Sequence, residues 1–198
     1  MAARPTSRSY PGSQSYDAAQ RAFHWIMAAL ILLAIVIGVT TSFLPPRTSP
    51  RVELLTLHKS LGMSALVLGV LRIGYRAIVG APPYAAALAA STRVASRAAH
   101  LALYALMIAL PVSGYVNSAA GGHELSWFGL FAWPNFAPQD KALAHGASQA
   151  HYRLAWTIAA ILALHLAAVA WHRWAKRDEI FARMWPDRAA LAGQGGRA

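Results

Sequence analysis

Eight histidines, His24, His58, His100, His123, His145, His151, His165 and His172, are the residues of this 198-residue chain whose type and placement could do chemistry. Six of them lie inside or at the ends of long apolar segments, where an ionisable group is costly and is usually retained for a function. No Asp or Glu accompanies them in the apolar cores, which weakens a proton relay and leaves ligation of a buried metal centre. The chain has no cysteine, so a disulfide framework, a zinc knuckle, an iron–sulfur cluster and a thiolate nucleophile are excluded. Haem held by imidazole is the natural candidate for such a site.

Spacing tests that idea. His151 and His165 are 14 residues apart. At about 100° per residue they are rotated by only about 40°, so they share a helix face about 21 Å apart along the axis. His58 opens the second apolar segment and His24 the first. An antiparallel arrangement therefore pairs His58 with His151 near one membrane face and His24 with His165 near the other. Two bis-histidine sites stacked across a bilayer would let electrons cross it. Gly38 stands 14 residues after His24, Gly114 stands 14 after His100, and Gly62 and Gly69 follow His58. A flat macrocycle needs small residues where its plane passes, although small residues also let helices pack with no cofactor. Arg72, 14 after His58, is level with the inner site. It could neutralise haem carboxylates or hold a quinone head group, or simply snorkel to the interface. His172, seven after His165, and His100, at the start of the third segment, mark the inner rim, each either interfacial or functional. His145 falls on nearly the opposite face from His165, and His123 lies in a loop.

The elements that must carry these residues follow from composition. The chain is 57% hydrophobic and 13% charged, whereas a soluble domain is about one-quarter charged. Residues 22–44 are free of Asp, Glu, Lys and Arg over 23 positions and stop at Pro45-Pro46; about 20 residues suffice to span a bilayer. A second segment covers about 54–79, with Lys59 near its start and Arg72 and Arg76 near its end. A third, 98–122, is kinked at Pro111, and a fourth, 154–172, belongs to a helix that starts near Ser148. Loops fall at 45–53, at 80–97 with Arg93 and Arg97, and at 120–147. The expected fold is all-α: four transmembrane helices in an antiparallel up-and-down bundle holding two haems. Residues 1–20 and 188–198 are expected to be disordered tails flanking a transmembrane domain over 21–187, with no cleaved signal peptide. Eighteen Lys+Arg against seven Asp+Glu give a net charge of +11. Thirteen of the eighteen lie at the end that holds both termini, and five (Arg47, Arg51, Lys59, Lys141 and Arg153) at the other. The positive-inside rule puts both termini in the cytoplasm, so the charge is a topology signal and implies no nucleic acid.

Several motifs then combine. They are Arg21-x-x-His24-Trp25, His58-x-x-x-Gly62 with Arg72-x-x-x-Arg76, His100-x-x-x-Tyr104 with Pro111-x-x-Gly114-Tyr115, and His151, His165 and His172 before Arg177-Asp178 and Arg183-Met184. Over about residues 16–187 the chain resembles the bacterial cytochrome b561 family. The resemblance implies a four-helix bundle in the bacterial cytoplasmic (inner) membrane with two haem b groups, their axial ligands being His24, His58, His151 and His165. It implies an oxidoreductase that takes electrons from periplasmic superoxide and passes them to ubiquinone, with His172 as the quinone contact. In such a protein Arg47, Arg51, Lys59 and Arg153 would draw the superoxide anion to the outer site. Lys59 and Arg153 stand beside the ligands His58 and His151. His172 or His100 would relay the protons that quinone reduction needs. Other members are electron-transfer subunits that link the quinone pool to a periplasmic redox partner. The long third loop, with Trp127, Phe128, Phe131, Trp133 and Phe136, would lie on the membrane interface, cover the outer site, or dock such a partner. A haem-free transporter or scaffold would leave the histidine spacing unexplained.

Overall fold

The computed structural model describes residues 15–83, 89–178 and 180–185; residues 1–14 and 188–198 of the expected tails lie outside these. Four helices are long and apolar enough to cross a membrane, α1 (Ala18–Ser42), α2 (Ser49–Val79), α3 (Ala90–Ala120) and α4 (Lys141–Ala170). The last runs directly into a single π-helical stretch, Trp171–Lys176, which Arg177 ends in the left-handed region at φ 53°, ψ 36°. Helices suit this setting because each satisfies its own backbone polar groups where no water is present.

The helices begin earlier than the uncharged runs because polar caps lie outside those runs. Asp17 starts α1: its carboxylate accepts the Gln20 main-chain N–H at 2.8 Å and the Gln20 side-chain amide at 2.7 Å, so an orphan donor of the first turn is satisfied. Burial pushes the Asp17 carboxyl up, but the bonds from Gln20 outweigh it and hold the group below its ordinary range. The Tyr16 N–H donates to the Arg183 carbonyl at 3.2 Å, and Gln20 Nε2 to the Gly80 carbonyl at 3.2 Å. Residues 15–20, part of the expected N-terminal tail, are thus tied into the bundle. Asp140 starts α4 by accepting the N–H groups of Ala142 at 2.7 Å and Leu143 at 3.0 Å. α3 starts two turns before the expected boundary, so Arg93 and Arg97 sit on its first turns and not in a loop; it continues through Pro111.

Each helix packs on its neighbour in the chain, α1 on α2, α2 on α3 and α3 on α4, while α4 scarcely approaches the backbones of α1 or α2. Met27, Ala65 and Met107 form a core at mid-bundle, and Met63, Ala119 and Leu125 form another near one end. Many large apolar side chains are exposed, among them Leu32, Val36, Val70 and Leu71, as expected of helices that meet lipid.

The connection from α3 to α4 is not wholly irregular. Ser126–Trp127 (β1) and Phe131–Ala132 (β2) form a two-stranded antiparallel hairpin. Its turn has two positive-φ residues, Phe128 at 50° and Gly129 at 75°. Ser60 of α2 is 1% exposed; its hydroxyl accepts the Phe128 N–H at 3.0 Å and lies 3.0 Å from the Ser126 carbonyl. Trp127 Nε1 donates to the Ser64 hydroxyl at 3.0 Å. The hairpin is therefore fastened over the end of α2, two residues beyond His58. Ser60→Ala leaves the Phe128 N–H without its acceptor, at about 1–3 kcal/mol for a buried donor. Amide exchange across the hairpin, read by mass spectrometry, should quicken about tenfold or more, with exchange in the central turns of α1 unchanged.

Candidate functional site

At the hairpin end, His58 of α2 and His151 of α4 meet edge to face, with ring centroids 6.0 Å apart and planes at 81°. Each ring also leans on the helix beside its own. His58 Nδ1 donates to the Ala34 carbonyl of α1 at 2.9 Å. His151 Nδ1 donates to the Leu110 carbonyl of α3 at 3.0 Å, with the Ser113 hydroxyl 3.2 Å away. A carbonyl can only accept, so the hydrogen is on Nδ1 in both rings and Nε2 keeps a free lone pair. That is the tautomer a metal-ligating histidine uses, with its second nitrogen held by an outer partner.

Glycine makes this approach possible. Four residues beyond Ala34 is Gly38, where a Cβ would stand 3.0 Å from His58 Cε1; four beyond Leu110 is Gly114, where a Cβ would stand 3.0 Å from His151 Cε1. One device is used twice, once on α1 and α2 and once on α3 and α4. Gly38 is level with the His58–His151 pair, but the ring it admits is the histidine itself. A Cβ at Gly62 meets nothing within 4 Å, so open space lies there, whereas Gly69 packs in the central core against Met27, Met107 and Ile108 at 3.5–3.7 Å. Lys59 is half-buried beside His58, and Arg153 is exposed two residues beyond His151.

The basic end is built differently. Here the rings that meet are His100 of α3 and His165 of α4, 5.6 Å apart at 84°. His100 Nδ1 donates to the Ser96 carbonyl of its own helix at 2.6 Å. His24 does not meet His165 ring to ring; its Nδ1 accepts from Arg72 Nη2 at 3.2 Å. The remaining Arg72 nitrogens, Nε and Nη1, are buried with no partner, and the guanidinium lies 5.8 Å over the Tyr104 ring. A buried guanidinium with unmatched donors is arranged for an anion. A cavity of about 770 Å³ opens in front of it, walled by Arg72, Tyr104, His100, His165, His172 and Arg183 among others. His172 turns its Nδ1 away to Asp178.

These residues suit a metal that brings most of its own donors. Among the described residues no group of three His, Asp or Glu could hold a bare ion. His58 and His151, each with a free Nε2, would hold a haem iron between them, and the haem would supply one-electron redox chemistry there. The free donors of Arg72 and the space in front of it suit the carboxylates of haem. Sequence reasoning did not reach the Ala34 and Leu110 carbonyls, Ser113, Ser60 or the role of Asp178. The repeated interval from carbonyl to glycine was the available signal for the first two.

A family model described as prokaryotic cytochrome b561 matches residues 15–187. Cytochrome b561 homolog 2 of Escherichia coli K12 is 32% identical over 174 residues, covering 86% of this chain and 91% of that protein. A probable superoxide oxidase, CybB, of Yersinia pestis is 26% identical over 175 residues, covering 88% of this chain and 98% of that protein.

The glycine device is open to test. Gly38→Ala or Gly114→Ala places a methyl 3.0 Å from an imidazole carbon, closer than packed atoms tolerate, so the ring must leave its carbonyl. Purified protein should retain less than half of its bound tetrapyrrole by visible absorbance. Gly69→Ala, whose methyl meets its neighbours at 3.5 Å or more, should retain it.

Proposed function

The chain belongs to the prokaryotic cytochrome b561 family, and we propose that it moves electrons across a bacterial inner membrane, oxidising superoxide at the hairpin end and reducing ubiquinone at the basic end. The observation that carries this reading is the His58–His151 pair, two imidazoles within a membrane-spanning bundle, each with Nδ1 spent on a main-chain carbonyl and Nε2 left free. Two haem b groups, one held by His58 and His151 and one by His24 and His165, would supply one-electron redox chemistry at two depths.

For the second site, helix packing favours His24 over His100. The outer pair comes from α2 and α4, which are not packed together, and the space between them is what a macrocycle requires. α1 and α4 stand apart in the same way, whereas α3, which carries His100, is packed directly on α4. Ligation through His24 Nε2 needs the hydrogen on Nδ1, a position that Arg72 then cannot donate to. Arg72 is thereby released to direct its N–H groups at haem carboxylates. Gly62 leaves space one turn beyond His58.

The outer surface suits a small anion. Lys59 and Arg153 flank the ligands, and their charge raises the local concentration of superoxide. Two superoxide ions give two oxygen molecules and two electrons; ubiquinone takes those two electrons and two protons to become the quinol. With both termini cytoplasmic, the cavity holding His100 and His172 opens to the side from which the protons come. The Yersinia relative's name supports the superoxide reading. A relay to a periplasmic redox protein is the alternative, favoured by the exposed apolar hairpin tip at Phe128, Leu130 and Phe131.

Rapid mixing of superoxide with the oxidised protein, followed in the haem bands, tests this function. Fast reduction and then reoxidation on adding ubiquinone is the expected result. Bands that ignore superoxide but respond to quinol would establish the relay instead. In the same preparations, His58→Ala and His24→Ala should each lose one of two haems. Loss on His100→Ala with retention on His24→Ala would move the inner ligand to α3.

A further inference from the structure

The cavity at the basic end has one wall that the electron path does not use. α4 abandons its regular spacing at Trp171–Lys176, a six-residue π-helical stretch, and such insertions recur at functional sites because they re-aim a side chain. Arg177 then takes the left-handed conformation at φ 53°, which turns the chain back so that the Asp178 N–H donates to the His172 carbonyl at 3.2 Å. The same reversal brings the Asp178 side chain onto the ring: His172 Nδ1 donates to Asp178 Oδ2 at 2.5 Å. The other carboxylate oxygen, Oδ1, accepts the Ile180 N–H at 3.2 Å, so the carboxylate is held at both oxygens. His172 lines the cavity and Asp178 does not. Nδ1 is therefore spent outside the cavity, and Nε2 is the nitrogen left to face it.

The geometry points to Asp178 as a positioning residue for quinone reduction, holding His172 so that Nε2 alone exchanges a proton with a quinone carbonyl oxygen in the cavity. This rests on the reading of the basic end as the ubiquinone site. For each proton delivered, the bond from Nε2 to hydrogen breaks and a bond from the quinone oxygen to hydrogen forms. The electron arrives separately from the proposed donor, superoxide. His172 is left neutral with its hydrogen on Nδ1, still bonded to Asp178, and takes its next proton at Nε2 from cytoplasmic water. The Asp178 carboxylate balances the positive imidazolium before transfer. Without the carboxylate the neutral ring is free to take the other tautomer, and a positioned proton donor is worth about 10²–10⁴ in rate.

The test uses the intact haem-loaded protein and Asp178→Asn, which keeps the size of the side chain and removes its charge, with Asp178→Glu as the conservative partner. In protein labelled with ¹⁵N-histidine, His172, identified from the signal missing in His172→Gln, should show a hydrogen-bearing Nδ1 in wild type. In Asp178→Asn that signal should weaken as the tautomers mix. Haem reduction by superoxide should be unchanged in Asp178→Asn. Turnover with ubiquinone-1 should fall about tenfold or more in kcat, with KM within about twofold, and Asp178→Glu should recover most of it. An Asp178→Asn protein with wild-type kcat overturns the positioning role, whatever its spectrum. An unchanged Nδ1 signal overturns the tautomer argument. Wild-type haems that ubiquinone-1 does not reoxidise would instead remove the quinone reading, and this inference with it.

Discussion

An imidazole inside a membrane must spend its N–H on something, because no water is there to take it. Much of this structure follows from that requirement. His58 and His151 each meet it on a main-chain carbonyl of the adjacent helix. A carbonyl already engaged in its own helix can accept a second hydrogen bond, but only if the incoming ring reaches the backbone. Gly38 and Gly114 permit that approach. The histidines therefore bind α1 to α2 and α3 to α4 while pointing their free nitrogens into the space between the pairs. The same contacts serve stability and ligand readiness, so neither can be changed alone.

The two ends of the bundle solve different problems. At the hairpin end the imidazoles are tethered and face each other, and the hairpin is fastened over α2 through Ser60, Ser64 and Trp127. At the basic end Arg72 keeps two nitrogens, Nε and Nη1, unmatched beside a large cavity. Unmatched buried donors are costly in an isolated chain and become favourable when an anion arrives. This end also carries the irregular features of the backbone, the π-helical stretch and the left-handed Arg177. The irregularity lies beside the cavity and turns the chain back so that Asp178 meets His172.

Helix packing ties these sites together. α4 carries both His151 and His165 yet packs closely only on α3. Its distance from α1 and α2 leaves open a central space in which haem would fit. The described cores are correspondingly small, centred on Met27, Ala65 and Met107 and on Met63, Ala119 and Leu125. The protein's own side chains do not supply a dense interior, and bound haem would complete it.

The four spans were legible from residue order because crossing a bilayer demands an uncharged stretch of set length, which local composition reports. The 14-residue interval also placed His151 and His165 on one face, since rotation and rise along a helix are local geometry. Helix starts were less legible, because Asp17 and Asp140 act from outside the apolar runs. The contacts between helices were legible only in part: the antiparallel order paired His58 with His151, whose rings do meet, but it paired His165 with His24, and the ring that meets His165 is that of His100. That His58 would find the Ala34 carbonyl, that His100 would lie against His165, and that Asp178 would fold back onto His172 depend on how four rigid helices lean on one another. The chain alone set the interval that puts His151 and His165 on one helix face. Only the tertiary structure decided what each nitrogen bonds to, because a hydrogen-bond partner 24 or 41 residues away is chosen by packing and not by neighbours in sequence.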